Sequence, residues 1–293
     1  MRVLIKRYQR DIFAVFLMIV STIVGRFFQV ADIQSSLIWP AIGVAFAFTI
    51  NYRIQIFPAL ALGSIVGYLL SFTISGDFLA ASLFLAVLQT MVLILTMYFS
   101  LWLWETLRVG EWLTLSNIAK GLLIIVLVPM FASLFGVAIY IIAQIDTFDT
   151  WFQVVLLWSI GDAFGLLIFG LPLYLALKYD EDPYFIKWKP YEVVFYLSFI
   201  LVALLMLNYH VPLFNFEQHR YLFILFAIIM AFKFGYRTPF MFSMMTLGLF
   251  IFWPPVFAEL GLVVYVFGVN VFLTVLTSIV LVIKYFLNHS YAE

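Results

Sequence analysis

Cysteine is missing altogether from the 293 residues, and charge is scarce. The first absence removes disulfides, thiolate metal sites, cysteine nucleophiles and iron–sulfur clusters together. Lys and Arg number 15 and so do Asp and Glu, so the chain is 10% charged with a formal net charge of zero. That balance gives no electrostatic case for nucleic acid as a partner. Histidine occurs only at His210, His219 and His289, in loops or near the end, and no pair has helical metal-ligand spacing. A nucleophile elbow, a phosphate loop and an HExxH helix are all lacking. No segment is long enough and polar enough for a soluble domain. Together these absences argue against an enzyme, a bound metal or a cofactor.

What is present is apolar. Hydrophobic residues make up 66% of the chain, and the mean hydropathy is +1.14. Soluble domains are about half apolar and about a quarter charged, so these values belong to a polytopic protein whose first partner is the lipid bilayer. The 34 phenylalanines fit lipid-facing and interhelical packing. Apolar runs broken by charge or turn residues predict ten spans, at 11–29, 36–50, 56–73, 78–103, 118–143, 151–176, 191–208, 220–234, 238–257 and 261–286. The expected fold is therefore all-α, a single integral-membrane helical bundle over residues 1–293. Arg2, Lys6, Arg7 and Arg10 precede the first run, which lacks a small-residue cleavage pattern and reads as a retained helix.

Basic residues set the orientation. The N-terminal cluster, Arg53, Arg108, Lys120, Lys178, Lys187, Lys189, Lys233, Arg237 and Lys284 all fall on one side of a ten-span arrangement, whereas Arg220 is the one basic residue of the opposite loops. This asymmetry predicts an inner-membrane protein with both termini cytoplasmic. An eight-span arrangement with two re-entrant pieces is the alternative.

One octet stands out, Trp158-Ser159-Ile160-Gly161-Asp162-Ala163-Phe164-Gly165, inside the apolar run 151–176. A carboxylate at a helix centre costs roughly 2.5–3.5 kcal/mol on insertion scales, so Asp162 is expected to face protein or a wet cavity. The flanking glycines give up helix propensity and let neighbouring backbones come close. Asp162 lies eleven residues in from Trp151, roughly 16 Å at about 1.5 Å per residue. Gln89 lies equally deep in the fourth span and Asn270 nearly so in the tenth. Either the three polar groups share a cavity, or each satisfies a separate neighbour. Arg26, near the outer end of the first span, either pairs with Asp162 or snorkels to the headgroups.

Trp39-Pro40-x-x-Gly43 opens the second span, with proline in the first helical turn and tryptophan at the interface. Tyr52-Arg53 and Pro58-x-x-x-x-Gly63 follow. Later come Trp158-x-x-Gly161-Asp162-x-x-Gly165 before Pro172, then Phe234-Gly235-Tyr236-Arg237. In this order the set resembles the first of the MASE families, bacterial membrane-associated sensor domains, over about Ile12 to Lys284. The resemblance implies a domain that receives a signal at or in the membrane and passes it to a cyclase, phosphodiesterase or kinase module. No such module is visible here, so the resemblance implies a signalling partner supplied in trans, with a homo-oligomer as a further possibility. The fourth span of that family often carries a glutamate where this chain has Gln89.

The expected function is thus a sensory module that binds a small or amphipathic ligand within the bundle, around Asp162, Arg26, Trp39, Pro40, Trp158, Gln89 and Asn270. The glycines, Tyr52, Arg53, Pro58, Pro172 and Arg237 would shape the scaffold. A small-molecule transporter and a structural subunit of a membrane complex are the rival readings. A weak echo between Asn51-Tyr52-Arg53 and Gly235-Tyr236-Arg237 would fit the duplication common in transporters.

Overall fold

Proline and glycine decide where the helices start and how closely they meet. A computed structural model describes residues 2–27, 29–30, 35–36, 39–75, 79–109, 115–142, 151–179 and 229. The last four expected spans (residue 229 apart), Asn270, Gly235, Arg237 and the loop 178–190 beyond Tyr179 lie outside the described residues, as does the side chain of Arg26. Met1–Lys178 form one compact unit.

Helix α1 (Arg2–Phe27) is followed by a two-residue antiparallel ladder, in which Gln29 faces Ser36 and Val30 faces Ser35. Helix α2 (Pro40–Tyr52) starts with proline in its first turn. It ends where Arg53 takes φ 57° and ψ −154°, its N–H donating to the Thr49 carbonyl. This backbone conformation is strained for a residue with a Cβ. A 3-10 turn, Arg53–Ile56, leads into α3 (Phe57–Ser75). Then come α4 (Leu79–Thr106), α5 (Leu115–Ile142) and α6 (Trp151–Gly165). A π turn, Leu166–Gly170, joins α6 to α7 (Leu171–Tyr179).

Among the described residues, five stretches are long and apolar enough to cross a membrane: Arg7–Gly25, Pro40–Thr73, Ser82–Thr106, Ala119–Ile142 and Trp151–Lys178. The second is bent double at Arg53, because Trp39 at its start stacks on Tyr68 near its far end, with ring centroids 6.0 Å apart. Helix α2 therefore runs antiparallel to α3. Its 13 residues reach only about 20 Å, short of a hydrocarbon core of about 30 Å. The first six sequence-expected spans each fall on one of these helical stretches.

Small residues fix the packing. A Cβ on Gly63 would meet Met18 Cβ at 2.7 Å, and one on Gly67 would meet Thr22 Cβ at 2.8 Å, so α3 lies parallel to α1 in close contact. Thr90 donates to the Ser64 hydroxyl at 2.9 Å, tying α4 to α3 in the interior. Facing outward, α4 presents Leu83, Val87, Met91, Leu95, Tyr98 and Trp102, one apolar residue per turn. α5 does the same with Leu122, Val126, Met130 and Leu134. Such continuous exposed apolar stripes suit lipid and would be a liability in water.

Candidate functional site

Between α2, α3, α4, α5 and α6 lies a cavity of about 130 Å³. Trp39 and Ile42 reach it from the start of α2, and Tyr68 and Phe72 from α3. Gln89, Val92, Leu93 and Thr96 line it along one side of α4, and Ala132, Gly136 and Tyr140 along α5. Trp158 and Asp162, one turn apart on α6, complete the wall.

Local geometry explains why these side chains converge. The Trp39 N–H, unsatisfied at the head of α2, donates to the Gly161 carbonyl of α6 at 3.0 Å. Around that bond the two backbones touch. A Cβ on Gly165 would land on the Trp39 carbonyl oxygen, and one on Gly43 would land on the Gly165 oxygen and within 2.7 Å of the Gly170 nitrogen. Only residues without a Cβ permit this approach, and the π turn that follows shifts the hydrogen-bond ladder at the same place. Gly161 and Gly165 therefore seat α2 on α6, leaving Trp158 and Asp162 free to line the cavity.

Two further glycines make room for the tryptophans. A Cβ on Gly25 would lie 2.7 Å from the Trp39 ring, and one on Gly136 would lie 3.0 Å from the Trp158 ring. The aromatic walls are ordered. Tyr68 stacks with Phe72 as well as with Trp39, at 6.2 Å between centroids, and Tyr140 meets Trp158 edge-on at 5.7 Å and 89°.

The polar groups, by contrast, are left wanting. Asp162 is half-buried, and among the described residues no donor or cation reaches its carboxylate. Trp158 Nε1 and Thr96 Oγ1 are buried without a hydrogen-bond partner among the described residues. No group of three or more His, Cys, Asp or Glu that could hold a metal occurs among the described residues.

Of the candidate ligand residues, Asp162, Trp158, Trp39 and Gln89 stand around this one cavity. Pro40 is buried beside them in the first turn of α2 without lining it. Arg26 belongs to the last turn of α1, and its side chain and Asn270 lie outside the described residues. The scaffold positions fall elsewhere. Tyr52 lies under the Arg10 guanidinium, 5.1 Å from its ring centroid, and Arg53 pairs with Glu105. Pro58 is exposed in the first turn of α3, while Pro172 is buried just after the π turn. Sequence reasoning missed Tyr68, Phe72, Thr96, Gly136, Tyr140 and Gly170. For Gly170, five residues beyond Gly165, the spacing of small residues was a usable signal. The others sit in helices that are apolar all round.

The family model for MASE1 matches residues 10–288 of the chain. No curated protein and no solved structure matches it.

Proposed function

Because the chain belongs to the MASE1 family of membrane-associated sensor domains, we propose that its cavity receives a small ligand and that occupancy is relayed to a signalling partner. A sensory role in a membrane is common to the family and suits the apolar helices, and the family is a sensor rather than a catalytic one. The finer reading rests chiefly on one observation: a carboxylate, an indole N–H and a hydroxyl line one cavity without partners among the described residues. Buried polar groups are nearly always paired, so groups left open at membrane depth mark a place where something else supplies the partner.

The relay follows from the packing. Trp39 both lines the cavity and anchors α2 to Gly161, so a ligand that moves its ring moves the head of a short rigid helix. The other end of α2 carries Tyr52 and Arg53, which meet Arg10 of α1 and Glu105 of α4. Asn51 donates there to the Ala47 carbonyl at 2.8 Å and to the Tyr174 carbonyl of α7 at 3.4 Å. That end is the cytoplasmic one in our reading, which keeps ten helices, an inner membrane and both termini inside. The outward stripes of α4 and α5 face lipid or a second copy.

A reporter chimera tests the reading. Residues 1–293 joined to a diguanylate cyclase domain should give cyclic di-GMP levels that vary with growth medium. Filling the cavity with Ala132→Phe should hold the level constant at equal membrane insertion. A filled variant that still varies as the wild type does would overturn the proposal. The π turn just past Asp162 favours transport as a second reading, since transporter sites use interrupted helices. Uptake of solutes into proteoliposomes separates the two.

A further inference from the structure

Granting that the cavity is a ligand site, we infer that its ligand is a small organic cation, an ammonium compound held by Asp162 among the rings of Trp39, Tyr68, Tyr140 and Trp158. Among the described residues the lining carries one formal charge, a carboxylate, and no Lys, Arg or His opposes it. An anion would meet that charge with no counter-charge, and a neutral apolar guest would leave it as unpaired as before. A hard metal ion asks for six or more oxygen ligands. The wall offers only Asp162, Gln89 and a few hydroxyls, set among aromatic and aliphatic carbon. An ammonium group asks for less: one carboxylate and the faces of aromatic rings, which attract cations within about 6 Å of the centroid.

Size and the remaining polar groups narrow the class. At about 130 Å³ the space is smaller than the roughly 300–1,000 Å³ clefts of drug-sized ligands, which suits a compact head group. The Trp158 N–H, buried and without an acceptor among the described residues, is a donor that an ammonium cannot satisfy. It calls for an oxygen on the same molecule, as in a short amino alcohol.

The test uses the full chain in lipid nanodiscs and calorimetric titration with choline and ethanolamine. Each is set against its uncharged isostere, in which carbon replaces the ammonium nitrogen. At least one of the cations should bind more tightly than its isostere by about tenfold or more, as a desolvated cation–π contact can supply. Asp162→Asn should erase that preference, and Tyr140→Leu should weaken the cation while leaving the isostere alone. Isosteres that bind as well as the cations would overturn the inference and leave the cavity a ligand site. Binding by neither cation would also overturn it, and the filled-cavity chimera would still judge the sensor reading by itself. The isostere comparison in the wild type needs no variant, so a misfolded Asp162→Asn leaves it decisive.

Discussion

The two ends of α2 treat charged groups in opposite ways, although the Thr49 hydroxyl near the Tyr52 end is also buried without a hydrogen-bond partner among the described residues. At the Tyr52 end, partners abound: Arg10 reaches Asp11 at 2.7 Å and lies over Tyr52, Arg53 meets Glu105, and Lys178 donates to the Tyr174 hydroxyl at 3.0 Å. At the Trp39 end, backbones are jammed together at glycines, yet among the described residues Asp162, Trp158 Nε1 and Thr96 Oγ1 stand without partners. The contrast separates two kinds of cost. Charges near the paired end are offset by neighbours within the fold. The cost at the cavity is not offset internally, although the surrounding packing is tight enough to have closed it. Tight packing around unsatisfied groups holds a site open in a fixed shape.

The largest effect should come from breaking the glycine contact on which that shape depends. Gly165→Ala places a methyl group on the Trp39 carbonyl oxygen, a backbone atom that cannot rotate away. Overpacking typically costs about 1–3 kcal/mol when side chains can adjust, and here the loss should exceed about 3 kcal/mol. Folded yield and thermal melting in detergent would show it. A variant that melts with the wild type would mean that α2 does not lie against α6 as described.

The comparison also shows how far the sequence could be read. Hydropathy and its breaks located the helices, because a polar backbone in lipid leaves few alternatives to a helix. Asp162 was legible because a carboxylate in an apolar run is costly, and Gln89 because it lies at the same depth in its own span. Tyr68, Phe72 and Tyr140 were not, since a tyrosine or phenylalanine in such a helix looks the same whether it faces lipid or a cavity. Rotation about the helix axis is what decides, and an evenly apolar helix gives no face to read it from. The reversal at Arg53 was visible as a turn, but not the strained φ that makes α2 a short separate helix. Arg10 read as one more cation of the N-terminal cluster, whereas it is buried against Tyr52 with 7% exposure.

A smaller effect belongs to the paired end. Arg53 and Glu105 are well exposed, at 62% and 49% of their side-chain surface. Exposed ion pairs contribute only about 0.2–1 kcal/mol, so Glu105→Gln should lower stability within that range and less so in high salt. Its signalling effect should be larger than its stability effect if α2 is the relay, because the pair joins the moving end of α2 to α4. A melting loss well above about 1 kcal/mol would instead make this contact a mainstay of the fold.

The smallest expected change in stability is at the costliest residue. Removing one member of a buried ion pair typically costs about 3–5 kcal/mol, because the other charge is stranded. Among the described residues Asp162 has no such partner, so Asp162→Asn strands nothing, and the amide keeps the volume and polarity of the site. The variant should therefore insert and melt as the wild type does, while the reporter chimera carrying it loses its variation with medium. Arg26 supplies the counter-test. If its guanidinium were the counter-charge, Asp162→Asn would destabilise by the amount of a broken pair, and adding Arg26→Leu would restore part of the loss because both charges leave together. Melting of the two single variants and the double variant thus distinguishes a carboxylate reserved for a ligand from one already used to hold the bundle. An unaltered melt with a silent reporter is the result expected of the first.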